Sequence, residues 1–79
     1  MTPATCRAAR ALLDMGQEEL AKAARVAKAT IVAFETGKRV TTTANRRVMQ
    51  QALEAAGVIF ILSDPNGGPG VRLRGGPGA

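Results

Sequence analysis

The sequence predicts a mainly α-helical domain of four helices closed by a C-terminal β-hairpin. Three observations carry this. Apolar residues recur at helical spacing as far as Ala56, punctuated by helix signals: Thr2 before Pro3, glycine at 16, 37 and 57, and threonine at 41, 42 and 43. After Gly57 the pattern changes to five consecutive apolar residues at 58–62, the turn-dense stretch SDPNGGPG, and then VRLR, which alternates. Finally, 79 residues suffice for one hydrophobic core and not for two. The expected organisation is a helical unit at 1–57, a hairpin at 58–74 and a disordered tail, GGPGA, at 75–79.

The first helix is expected over 3–14. The Thr2 hydroxyl can accept a free backbone N–H, and proline at the first helical position loses no hydrogen bond. Cys6, Ala9, Arg10 and Leu13 face one way, with Leu12 on the flank. Cys6 reads as a small core residue: a lone cysteine forms no internal disulfide, and without histidine the chain offers no zinc or haem ligand set. No metal or other cofactor is expected. Six acidic residues and no histidine also leave no pair worth naming as acid and base, so no enzymatic activity is expected.

The second and third helices are short and joined by a tight turn. Leu20, Ala21 and Ala24 are the apolar positions of the second (17–24), Ile31 and Phe34 those of the third (28–36). With Ile31 inward, steps of about 100° per residue put Ala27, Phe34 and Glu35 on the buried side and Ala29, Val32, Ala33 and Thr36 outward. Lys28 stands near the start of this small, smooth face, a shape that fits the major groove of DNA.

Gly37 ends the third helix as a left-handed cap. Lys38, Arg39 and the hydroxyls of Thr41, Thr42 and Thr43 follow, suited to phosphates beside a groove. Thr42 or Thr43 caps a fourth helix running to about Ala56, with Met49, Ala52, Leu53 and Ala56 buried. Arg46 and Arg47 near its start oppose the helix dipole unless an anion binds there, which makes both phosphate candidates.

The net charge of +5 is concentrated. Between 22 and 47 lie seven basic residues (Lys22, Arg25, Lys28, Lys38, Arg39, Arg46, Arg47) against one acid, Glu35, a net of +6, and the remainder sums to −1. A positive field around a groove-shaped helix points to nucleic acid.

The spacing Gln17, Leu20, Ala21, Val26, Thr30, Ile31, Phe34, Glu35, Gly37 resembles the helix-turn-helix of phage Cro and cI type repressors, the xenobiotic-response-element family of bacterial regulators. The resemblance covers residues 2–57 and implies a lambda-repressor-like DNA-binding domain. It implies an ion pair between Arg10 and Glu35, a phosphate contact from Gln17, and base reading by Lys28, Ala29, Val32 and Ala33. Three positions depart from the family. Gly16 stands where Ser or Thr usually caps the second helix, Arg25 where glycine is usual in the turn, and Ala27 where a capping Ser or Thr also touches phosphate. Arg25 offers a charge contact in exchange. Short apolar groups cannot bond purines in bidentate fashion, so hydrogen-bonded readout is expected from Lys28 and the rest from thymine methyls and DNA shape.

The hairpin, with strands at 58–62 and 71–74, would be marginal alone and would expose an apolar edge. Pairing of Val58, Ile59, Phe60, Ile61 and Leu62 with the same strand of a second copy resolves this. The alternative is that the hairpin folds back on the first and fourth helices of its own chain. A twofold homodimer would place two reading helices about 34 Å apart on a palindromic operator.

The expected function is therefore sequence-specific double-stranded DNA binding, by a repressor that occludes a promoter; nothing in the residues separates this from an activator. The rival reading is a protein-binding module, such as an antitoxin or adaptor on the same scaffold. No apolar run approaches 18 residues and no basic-then-apolar leader is present, so a cytoplasmic protein of bacterial or phage origin, associated with the nucleoid and without a membrane contact, is expected. No small-molecule ligand is expected in so small a chain.

Overall fold

Thr2 and Thr5 build the first helix start together. The Thr2 hydroxyl accepts the Thr5 N–H at 3.0 Å while the Thr5 hydroxyl accepts the Thr2 N–H at 2.9 Å, and Pro3 opens α1 (Pro3–Leu12). The computed structural model describes residues 1–75 and continues through α2 (Gln17–Ala24), α3 (Lys28–Glu35), α4 (Thr43–Ala55), β1 (Val58–Ile61) and β2 (Gly70–Leu73). The expected tail lies, from residue 76 on, outside the described residues. Among those described, no helix is long and apolar enough to cross a membrane.

Three successive helices end in the same device. Asp14, Arg25 and Gly37 take φ of 52°, 58° and 71°, and the following N–H groups of Met15, Val26 and Lys38 bond carbonyls five residues back, at 2.9, 3.0 and 3.0 Å. The first helix is therefore two residues shorter than expected, because Asp14 turns left-handed instead of continuing it. Arg25 adopts the conformation that favours glycine, at a strain on the order of 1 kcal/mol. Gly37 holds its turn without that strain.

At the helix starts, Thr42 caps α4 by accepting the Asn45 N–H at 3.1 Å, and Gly16 has no cap oxygen but gives its own N–H to the Glu19 carboxylate at 3.1 Å. Ala27 is the extended residue before α3 and makes no side-chain cap. Its extended backbone takes it off the helical wheel, and it is exposed rather than buried as the periodicity predicts.

The core comprises Cys6 and Ala9 of α1, Leu20, Ala21 and Ala24 of α2, Ile31 and Phe34 of α3, Met49 and Leu53 of α4, and Val58 of β1. α2 packs on α3 and α4, and α1 on α3 and the hairpin. Two expected core positions differ. Ala52 is half-buried, and Ala56 is exposed because α4 stops at Ala55 and leaves Ala56 as its cap.

The strands pair antiparallel, Val58 with Leu73, Ile59 with Arg72, Phe60 with Val71 and Ile61 with Gly70. This register ends β1 one residue before the expected Leu62 and starts β2 one residue before Val71. Val58, Phe60, Val71 and Leu73 share the inner face, which lies on α1 and α4 of the same chain. The hairpin thus belongs to the helical core and is not a separate unit. The side chain of Val58, expected at a dimer contact, is 1% exposed inside its own chain; Ile59 and Phe60 are half-buried, Ile61 and Leu62 exposed.

Candidate nucleic-acid interface

Two helices, α1 and α2, supply donors to one carboxylate on α3 and thereby fix the angle at which α3 is held. Glu35, 2% exposed at the end of α3, accepts two bonds from the Arg10 guanidinium, from Nε at 2.7 Å and Nη2 at 2.6 Å. This is the ion pair the resemblance implies. Gln17 Nε2 donates to the same carboxylate at 3.1 Å and the Cys6 thiol at 3.1 Å, while Arg7 donates to the Glu35 backbone carbonyl. Arg10 also donates to the Met15 carbonyl at 3.0 Å, tying the α1–α2 turn into the cluster. Burial, helped by the bond to Glu35, pushes the Cys6 thiol up to about 12, so it stays protonated as a donor.

Gln17 is the expected phosphate contact most altered by this arrangement. A buried carboxylate has room for several donors and recruits the nearest neutral one, so one N–H of the amide turns inward. Its second N–H and the helix N-terminus remain for an anion.

The outward side of α3 is nearly bare of polar atoms. Ala29 is exposed and Val32 and Ala33 are half-buried, deeper than the wheel predicts, while the Thr36 hydroxyl turns back to the Val32 carbonyl at 2.8 Å. Ala29, Thr30 and Ala33 face Arg39, Val40, Thr41, Thr42 and Asn45 across an open cleft of about 440 Å³. Thr41, 8% exposed, anchors the loop 38–42, leaving Val40 at its tip 96% exposed.

Arg39 lines this cleft, and Arg39 and Arg46 line the neighbouring groove beside Phe34 and Gly37. Among the described residues, Lys22, Arg25, Lys38, Arg39, Arg46 and Arg47 form no salt bridge. The Thr42 hydroxyl accepts from Asn45, and the Thr43 hydroxyl accepts from Arg46 Nη2 at 3.3 Å; each keeps its own O–H to donate. Asn45 and Val40 are members of this face that sequence reasoning missed. Asn45 lies in the first turn of α4 and carries no charge, so only its place in the cleft marks it.

Lys28 is held differently from the rest. Its Nζ lies 3.3 Å from the Glu18 carboxylate, both side chains being well exposed. Such a surface pair contributes little and opens readily. It nevertheless sets a negative charge beside α3. Glu18→Gln is therefore expected to strengthen duplex binding roughly threefold, with the gain shrinking as salt rises; equal affinity for both proteins across a salt titration would place Glu18 away from the DNA.

Compared with models of protein families and with curated proteins, the chain matches none.

Proposed function

We propose that this chain is a sequence-specific double-stranded DNA-binding regulator of the Cro and cI helix-turn-helix type, acting as a homodimeric repressor on a palindromic operator. The observation that carries the reading is the face on which α3 and the loop to α4 put Ala29, Ala33, Arg39, Thr42 and Asn45 around one cleft, with Arg46 lining the adjoining groove and neither arginine in a salt bridge. A groove-reading helix needs a smooth outward face, and the phosphates on either side need donors. Base contacts fall to Lys28, Ala29, Val32 and Ala33. Phosphate contacts fall to Gln17, Arg25, Lys38, Arg39, Thr42, Thr43, Arg46 and Arg47.

In this reading the dimer forms through the hairpin, with the exposed Ile61 and Leu62 and the free edge of β1 as the contact. The rival is a protein-binding module, and the low polarity of the α3 face is the observation in its favour. The two separate on one experiment, selection of random duplex DNA on the purified protein followed by binding titrations at several salt concentrations. The regulator is expected to enrich a palindrome with half-sites about one turn apart. If Lys38, Arg39, Arg46 and Arg47 each neutralise one phosphate per protomer, log K falls against log salt with a slope of roughly −3.6 per half-site. Weak, equal binding to every duplex would overturn the reading and favour a protein partner.

A further inference from the structure

Polar groups that could read bases from the third helix are mostly engaged elsewhere. The Glu35 carboxylate is buried, the Gln17 amide turns inward to it, and the Thr36 hydroxyl bonds its own helix. Lys28 is a donor only, so it meets guanine or a carbonyl and cannot accept from the amino group of cytosine or adenine. What the outward side of α3 itself offers is mostly carbon, from Ala29 and Ala33, beside the Thr30 hydroxyl. Across the cleft from Ala29 and Ala33 stands Val40, nearly fully exposed and with no part in the core.

Single exposed apolar side chains are common on protein surfaces, so exposure alone says nothing of Val40. Its placement says more. β-branching makes the side chain stiff, buried Thr41 fixes the loop beside it, and Arg39 on its other side lines the same cleft. A cleft in which the alkyl groups of Ala29, Ala33 and Val40 stand beside the Thr30, Thr42 and Asn45 polar groups and the Arg39 cation complements one part of duplex DNA: the major-groove edge where a pyrimidine 5-methyl group projects next to the phosphate backbone.

We propose that this cleft receives the 5-methyl groups of pyrimidine bases, with Val40 as a specificity-determining residue beside Ala29 and Ala33. The methyl itself is then the signal. Thymine and 5-methylcytosine are accepted, uracil and cytosine are discriminated against, and cytosine methylation of a suitable site strengthens binding. This rests on the DNA-binding reading and adds to it what the face recognises.

The test uses the duplex enriched by selection on the full chain. Each thymidine is replaced in turn by deoxyuridine, which removes one methyl and leaves every hydrogen-bonding edge unchanged. At one or more positions per half-site, affinity is expected to fall about fourfold, the factor that burial of one methyl-sized group carries. At such a position, a cytosine substitution is expected to be partly rescued by 5-methylcytosine. In Val40→Ser the uracil-to-thymine ratio is expected to drop to near one at a single position, with affinity for the uracil duplex unchanged. Uracil tolerated at every position of a tightly bound duplex would overturn the proposal and leave DNA binding standing. A ratio that persists in Val40→Ser would remove Val40 from the reading. Failure to enrich any duplex would overturn the DNA-binding reading first, and this inference with it.

Discussion

Arg10→Ala is expected to leave much of the chain unfolded at room temperature. The substitution strands the Glu35 carboxylate, its side chain 1% exposed, with only the Gln17 amide and the Cys6 thiol as donors. Removing one partner of such a pair costs about 3 to 5 kcal/mol, and a single core of this size rarely provides more than about that. Glu35→Ala is expected to be milder, because the Arg10 side chain, 18% exposed, can swing its charge into water. The pair Arg10→Met with Glu35→Leu is expected to recover most of the loss, since an ion pair and a packed apolar replacement are nearly equivalent in net stability. Urea titrations followed by circular dichroism would check the ranking. A full-strength Arg10→Ala protein would mean that α1 is not held by this cluster.

The same cluster sets an acid limit. Burial alone would raise the Glu35 carboxyl, but the bonds donated by Arg10, Cys6 and Gln17, with the Arg10 charge, outweigh it and hold the group below its ordinary 4.5. The folded value is thus lower than the unfolded one. The resulting stability is fully present above pH 4.5 and is lost as the pH falls from there through the folded value. In the double variant the urea midpoint should be flatter over that range, which separates Glu35 from the exposed carboxylates.

The helical part was legible because each of its signals has a local cause. Thr2 before Pro3 and Gly37 after α3 act where the sequence places them, and of the two threonines it offers before α4 Thr42 is the cap. Asp14 was not legible. Aspartate tolerates the left-handed turn but does not demand it, so α1 could be read two residues too long. The strand register shows another limit. Leu62 extends an apolar run, yet the Gly57 carbonyl accepting the Arg74 N–H at 2.7 Å and the Asp64–Gly67 bridge frame the ladder, leaving Leu62 85% exposed. On the opposite strand Gly70, with no side chain to signal it, pairs with Ile61 and starts β2 one residue early. At the interface the cations of 22–47 could be counted from the sequence. The cleft uniting α3 with Val40 and Asn45 could not, because it depends on how a loop anchored by Thr41 folds back over a helix.

Ala33→Glu is expected to abolish specific duplex binding, by at least about a hundredfold, while leaving the fold intact. Ala33 is half-buried on the cleft side of α3, and alanine and glutamate differ little in helix propensity, so thermal stability should change by no more than a few degrees. A carboxylate there would enter a groove edge that is already electronegative, where like charges brought together cost several kcal/mol. Lys38→Ala gives the contrast that assigns roles. It should weaken all sequences alike and lower the salt slope by about one, because a phosphate contact carries no sequence information. Had the acidic residue acted only through overall charge, it too would shift every duplex equally and relax with salt. Loss of discrimination between the selected and random duplexes, persisting at high salt, is what distinguishes a base-reading helix from a basic surface. A variant that still bound the selected duplex at full strength would take α3 out of the groove and leave its apolar face to a protein partner.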